Sequence, residues 1–192
     1  MSWAIWITGP PGSGKTTIAR EAAKALTSRG MTVKVLELDQ LRQILTPQPT
    51  YGEAERELVY RALILMAKLL TEEGVPVIID ATAHRRAWRE LARSLIPLFA
   101  EVELVCPLEV CLERERSRPL GYAPPRIYAH ARYPGATVPG VNVPYEPSLR
   151  PERSIDTRIA SWWTAVQEVL SLARQLRHRA TSGLYHAQRN PR

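Results

Sequence analysis

The stretch Gly9-Pro10-Pro11-Gly12-Ser13-Gly14-Lys15-Thr16-Thr17 holds the residue types and spacing that most directly specify chemistry. Glycines at 9, 12 and 14 permit a tight turn in which successive backbone N–H groups converge, and such a concave set of amides binds phosphate oxygens. Lys15 and Thr16 complete the pattern G-x-x-x-x-G-K-[ST]. In that pattern the lysine reaches the β- and γ-phosphates of a nucleoside triphosphate and the hydroxyl binds Mg²⁺. Ser13 and Thr17 extend the candidate nucleotide contacts. Two carboxylates, Asp39 and Asp80, each follow an apolar run. Phosphoryl transfer depends on positioning and on neutralising charge. Asp39 is therefore the candidate to orient an acceptor hydroxyl, and Asp80 the candidate to help hold Mg²⁺. Each also has a structural reading: Asp39 as a helix N-cap, Asp80 as a hydrogen-bond partner of the glycine loop. Arg42, Arg56 and Arg85 suit the anionic groups of an acceptor, because a guanidinium binds them through two parallel bonds. Arg114 suits the ATP side, or the solvated face of a helix.

Elements must place these groups. Trp3 to Thr8 is a short apolar run of strand type, and Thr17 to Leu26 carries Ile18, Ala22, Ala25 and Leu26 at helical spacing. Strand, glycine loop and helix put the positive end of the helix at the anion. Thr32 to Leu38 alternates and reads as a second strand, with Asp39 after it and a short helix over Gln40–Leu45. Glu53 to Glu73 reads as a long helix with Leu58, Ala62, Leu65 and Leu69 on one apolar face. Val75 to Asp80 is a continuous apolar run, as a buried parallel strand requires. Further strands are predicted over Glu101–Cys106 and Arg153–Thr157, with helices over Arg86–Leu98, Pro107–Arg116 and Arg158–Arg179. In the last helix Trp162 and Trp163 read as packing residues. Strands alternating with helices predict an α/β fold of the P-loop NTPase type: a doubly wound parallel sheet of about five strands with helices on both faces. Ligands of such sheets bind beyond the carboxyl ends of the strands, where the glycine loop, Asp39 and Asp80 fall. The organisation expected is one P-loop domain over 1–179, with a lid at about 115–140, and a basic tail over 180–192. The lid is rich in proline and glycine and carries Arg118, Arg126 and Arg132; long irregular segments of this kind serve as mobile covers.

A net charge of +7 over 192 residues suits anionic ligands. It also leaves open a nucleotide-dependent nucleic-acid-binding module, against which stands the lack of an aromatic-rich single-strand platform. Cys106 and Cys111 have no zinc spacing and read as buried free thiols in a reducing compartment. The apolar stretch Ala62–Leu70 is too short to span a membrane and is broken by Lys68. The chain reads as cytoplasmic, with small-molecule partners and no membrane partner.

With those residues placed, the chain resembles the adenylylsulfate (APS) kinases. Four stretches carry the resemblance. The glycine loop runs into Thr16-Thr17-Ile18-Ala19, and Asp39-x-x-Arg42 resembles the family's D-x-x-R. Cys106-Pro107-Leu108-Glu109-Val110-Cys111-Leu112-Glu113-Arg114 resembles its P-L-E-V-C-x-x-R segment. Pro139-Gly140-Val141-Asn142-Val143-Pro144-Tyr145-Glu146-Pro147, with Ile155-Asp156-Thr157 after it, is similar to T-G-I-D-x-P-Y-E-x-P and L-x-L-D-T. The resemblance implies an ATP- and Mg²⁺-dependent kinase that phosphorylates the ribose 3′-hydroxyl of APS, and suggests a homodimer. It also implies that Tyr51 and Val138 stand where the family clamps the acceptor's adenine, that Thr82 and Arg85 stand at its serine and arginine, and that Arg132 ends its lid motif. The departures are Tyr51 and Val138 in place of phenylalanines, Val59 in place of an asparagine that contacts substrate, an insertion over Arg118–Ile127, and Asp80-Ala81-Thr82, which looks more like small kinases related to polynucleotide 5′-kinases. A kinase for another hydroxyl, a polynucleotide 5′-end or a small metabolite, is the alternative they motivate.

Overall fold

A computed structural model describes residues 1–117 and 121–189 of the chain, with side chains as far as Ser182. Five strands form one parallel sheet: β1 (Ala4–Thr8), β2 (Lys34–Glu37), β3 (Val77–Asp80), β4 (Phe99–Val105) and β5 (Arg153–Asp156). Their spatial order is β2-β3-β1-β4-β5. The chain leaves β1 to one side for β2 and β3, then crosses to the other side for β4 and β5. The crevice therefore opens beyond the carboxyl end of β1. The register is continuous there, with Ile7 beside Asp80 on one flank and Val102 on the other.

Seven helices connect the strands among the described residues: α1 (Lys15–Thr27), α2 (Leu38–Leu45), α3 (Glu53–Glu72), α4 (Arg86–Leu95), α5 (Leu108–Arg116), the single turn α6 (Ile127–His130) and α7 (Trp162–Arg189). The period-2 alternation of β1 sorts its side chains between two cores. Trp3, Ile5 and Ile7 pack with Ile18, Ala22 and Leu26 of α1 and with Val166, Val169, Leu170 and Ala173 of α7. Ala4 and Trp6 face the other way, onto Val59, Leu63 and Ile64 of α3 and Trp88 of α4. A third small cluster, Cys111, Tyr128 and Val138, joins α5 to α6 and to the segment before β5. The doubly wound parallel fold expected from the sequence is the fold observed.

Four expectations need correction. α2 begins at Leu38, so Asp39 lies within its first turn, and the N-cap residue is Glu37, which makes no side-chain capping bond. On α3 the stripe Leu58, Leu65 and Leu69 faces solvent, and the buried stripe is Val59, Tyr60, Leu63, Ile64 and Ala67. Both stripes have helical period; the core takes the one bearing Tyr60, whose ring stacks 4.0 Å from Trp88 and 6.4 Å from Trp6. Trp162 and Trp163 are half exposed at the start of α7 and pack edge-on against each other, because the core face of that helix begins only at Ala165. α7 itself starts four residues later than its pattern suggests and continues to Arg189.

Candidate active site

Gly9 and Gly12 are dictated by packing as well as by chemistry. Both have positive φ (145° and 81°), and a Cβ on Gly12 would stand 2.5 Å from the carbonyl oxygen of Cys111. On Gly9 it would stand 2.7 Å from that of Leu104. The loop is thus pressed against β4 and α5, with no room for a side chain. Gly14 is the N-cap residue of α1, and the loop amides lead into that helix. Lys15 is buried and donates from Nζ to the carbonyls of Gly9 (3.0 Å) and Pro10 (2.9 Å). The Tyr128 hydroxyl of α6 donates to the Pro11 carbonyl at 2.7 Å, tying α6 to the other shoulder of the loop.

A cavity of about 660 Å³ opens over this loop. Gly12, Gly14, Lys15, Thr16 and Thr17 line one end; Asp39 and Asp80 stand at its middle; Arg42, Tyr51, Arg56, Tyr60 and Thr82 line the far end. Arg114, His130, Tyr133 and the segment Pro134–Pro139 roof it. The first turn of α2 delivers Asp39, and the end of β3 delivers Asp80. Burial pushes the Asp80 carboxyl up to about 6, against the opposing pull of the Lys15 ammonium and the Thr16 hydroxyl, which hydrogen-bonds it; the nearby Asp39 charge pushes the same way as burial. A buried hydroxyl–carboxylate pair beside a phosphate cradle fits a hard divalent cation that keeps waters and phosphate oxygens as its other ligands. Among the described residues no group of three His, Cys, Asp or Glu side chains forms an all-protein metal cage, and Mg²⁺ at a nucleotide does not need one.

The far end is built on an aromatic platform. Arg42 is buried, pairs with Glu55 at 2.6 Å and lies 5.1 Å over the Tyr51 ring. Arg56, one turn into α3, donates to the carbonyls of Tyr51 and Thr137 at 2.8 Å each. Hydrogen bonds from Thr50 and Arg42 hold the Glu55 carboxyl below its usual range, against burial. Tyr51 has a positive φ of 54°, and the Thr137 hydroxyl donates to its carbonyl at 3.1 Å, which sets Val138 beside the platform. Arg114 donates to Thr157 Oγ1 (3.2 Å) and to the Thr157 carbonyl (2.7 Å).

Not every expected residue reaches the cavity. Arg85 stacks near Trp88 and pairs with Glu53, and Arg132 is exposed; neither lines the wall. Arg118 lies outside the described residues. Gly9 and Ser13 sit beneath the loop surface. Val59 is buried in the α3 core and is not among the residues that line the cavity. Tyr60 was not singled out from sequence; it lines the cavity one helical turn beyond Arg56, and its hydroxyl accepts the Ala83 N–H at 2.8 Å. Helical spacing from Arg56 was the available signal.

A second set of residues holds the site from outside. Arg89, fully buried, donates to Thr8 Oγ1 (3.2 Å) and to the Tyr145 hydroxyl (3.0 Å), and its Nε lies 3.2 Å from Glu101. The Thr8 hydroxyl donates to the Thr82 carbonyl at 2.6 Å, so Thr8 serves as acceptor toward Arg89 and Tyr145. The Glu146 N–H donates to the His84 carbonyl (2.8 Å), and the Glu146 carboxylate accepts the Arg86 N–H at the start of α4 (2.7 Å).

Comparison with known proteins identifies the family. The family model described as "Adenylylsulphate kinase" matches residues 1–156. A "Probable adenylyl-sulfate kinase" of Archaeoglobus fulgidus is 39% identical over 160 residues, spanning 82% of this chain and 97% of the relative. A second protein of that name, from Pyrococcus abyssi, is 37% identical over 81% of this chain and 85% of its own length. Among solved structures, the Mycobacterium tuberculosis APS kinase in complex with AMPPNP and APS superposes with a TM-score of 0.78 at 29% identity, covering 90% of this chain and 98% of that one.

Proposed function

The chain belongs to the adenylylsulphate kinase family, and from that premise we propose that it transfers the γ-phosphoryl group of ATP to the 3′-hydroxyl of APS, giving 3′-phosphoadenylylsulfate for sulfate assimilation. One observation carries the reading at the level of geometry. A single cavity has a phosphate cradle at one end and two buried arginines on an aromatic platform at the other, with two carboxylates between them.

ATP lies with its phosphates on the amides of the glycine loop, and Lys15 exchanges its carbonyl partners for β- and γ-oxygens. Thr16 and Asp80 would hold Mg²⁺, which supplies charge neutralisation across the phosphates when bound. Arg114 flanks the nucleotide. The acceptor's adenine lies between Tyr51 and Val138, and Arg42 and Arg56 take its anionic groups, since Arg85 and Arg132 line no part of the cavity. Asp39 holds the 3′-hydroxyl in line with the γ-phosphorus and takes its proton as the new P–O bond forms. The roof from His130 to Pro139 excludes water, whose attack on the γ-phosphate competes with the acceptor. The small-molecule reaction needs no membrane, and among the described residues no helix is long and apolar enough to cross one. We place it in the cytoplasm, where the two free thiols persist, and as a homodimer.

A coupled ADP-release assay across APS, nucleosides and 5′-hydroxyl oligonucleotides tests the reading. APS-dependent release that Lys15→Ala abolishes is the expected result. Release driven by an oligonucleotide or a nucleoside and not by APS refutes it.

A further inference from the structure

We propose that the Tyr60 hydroxyl donates a hydrogen bond to an anionic oxygen of the acceptor, on the same group that Arg42 and Arg56 hold. The proposal rests on the reading of the acceptor as APS, and assigns Tyr60 to the phosphosulfate at its 5′ end.

The Tyr60 ring is fixed in place. It stacks 4.0 Å from Trp88 at an interplanar angle of 12° and lies 6.4 Å from Trp6 at 19°, and the residue is buried in the wall of the cavity. Its hydroxyl accepts a hydrogen bond and donates none. The Ala83 N–H reaches it at 2.8 Å, and among the described residues that is its one hydrogen-bond partner. A buried donor without an acceptor costs free energy. A donor in a cavity wall recovers that cost when a ligand oxygen meets it.

The neighbouring groups say which oxygen. Arg56 lies one helical turn before Tyr60, and both line the cavity with Arg42. Arg42 commits Nη1 to Glu55, and Arg56 commits Nε and Nη2 to Tyr51 and Thr137. The other guanidinium N–H groups of both have no acceptor among the described residues. The cavity therefore offers these uncommitted guanidinium donors together with the Tyr60 O–H. Donors without acceptors suit a group with several oxygens and negative charge; a sugar hydroxyl would call for acceptors too. Burial pushes the Tyr60 hydroxyl up to about 12, against the pull of the Ala83 N–H and of the Arg56 and Arg42 charges and with the push of Asp39. It keeps its proton at neutral pH and acts as a donor there. An O–H···O⁻ bond is short and directional, and it adds no third cation near Asp39. An acceptor with no oxygen at this point would leave the O–H unpaired, which is a basis for discrimination.

Steady-state kinetics of Tyr60→Phe, with AMP and adenosine as competitors against APS, tests the proposal. The phenyl ring preserves the stack on Trp88. KM for APS should rise roughly ten- to a hundredfold, the range for a hydrogen bond to a charged group, with KM for ATP unchanged. Adenosine has no anionic group, so it should inhibit the variant as well as the wild type. AMP tells the two sources of the oxygen apart: its inhibition constant rises with the APS KM if the oxygen is on the phosphoryl group and holds if it is on the sulfuryl group. An unchanged KM for APS overturns the proposal. So does an equal rise in KM for ATP or in the inhibition constant of adenosine, which marks loss of the Ala83 support and not of a contact to the anion. Failure of the kinase reading looks different: the wild type itself then gives no APS-dependent ADP release.

Discussion

Two buried groups beside the cavity titrate in the same acidic window with opposite effects on stability, and substitution separates them. Burial, reinforced by the charges of Arg56 and Arg85, lowers His84 from 6.5 to about 4. Its ring packs edge-on against Trp88, and Nδ1 has no hydrogen-bond partner. Between those values the unfolded chain binds more protons than the folded one. Stability held through His84 is therefore complete above about 6.5 and is lost as pH falls toward 4. Asp80 behaves inversely. Its carboxyl is raised from 3.8 to about 6, so the folded state binds the extra proton and stability is gained as pH falls through 6. Between pH 8 and pH 5 the linkage relation gives a loss of about 2 kcal/mol through His84 and a gain of about 1.5 kcal/mol through Asp80. The wild-type profile should be nearly flat there. Urea unfolding of the nucleotide- and metal-free protein at half-unit intervals from pH 4.5 to 8 is the assay. Asp80→Asn should be more stable than wild type at pH 7.5, by up to about 3 kcal/mol, a rise on the order of 5–10 °C in Tm for a chain of this size. It should then lose stability steeply on acidification. His84→Phe should gain stability on acidification. If Asp80→Asn is less stable than wild type at pH 7.5, or if neither substitution alters the slope, the reasoning fails.

Three further outcomes follow from the geometry. Asp39→Asn should leave ATP affinity unchanged and reduce turnover by roughly 10²–10⁴-fold, the range of a lost proton acceptor; collapse of ATP affinity in calorimetry would make Asp39 a structural residue. Gly12→Ala should weaken ATP binding at least tenfold, because its Cβ would stand 2.5 Å from the Cys111 carbonyl oxygen and force the loop or α5 to move; unchanged affinity would show that the contact can yield. Tyr145→Phe should cost about 1–3 kcal/mol of stability, since it strands a buried guanidinium N–H, and should raise KM for the acceptor more than for ATP.

The strands themselves, the glycine loop and the two carboxylates were legible in the sequence because each depends on local pattern: apolar runs, turn residues, and an acid at a strand's end. The outward face of α3 was not. Leu58, Ala62, Leu65 and Leu69 repeat as regularly as Val59, Leu63 and Ala67, and period alone cannot say which stripe meets the sheet. Tyr60 decides it, through stacking on Trp6 and Trp88 from other elements. Arg42, Arg56 and Arg85 looked alike in sequence; only the loop geometry that brings Tyr51 and Thr137 to Arg56, and Glu53 to Arg85, divides cavity residues from surface ones.

The segment Pro144-Tyr145-Glu146-Pro147, the most specific part of the family resemblance, lines no part of the cavity. Its role is to hold the parts that do. Loop 81–85 must present Thr82 at the cavity, and Ala83 takes a positive φ of 42° there, a conformation that costs an alanine energy. Hydrogen bonds from three directions fix that loop: Thr8 to the Thr82 carbonyl, Tyr60 to the Ala83 N–H, and the Glu146 backbone to the His84 carbonyl. Tyr145 and Arg89 pin Thr8, and the Glu146 carboxylate supplies at the start of α4 the capping bond that Arg85 does not make. The same strap is the chain's path back from the roof of the cavity to β5. Tyr145 and Glu146 therefore join the segment that follows the roof to the loop that presents Thr82.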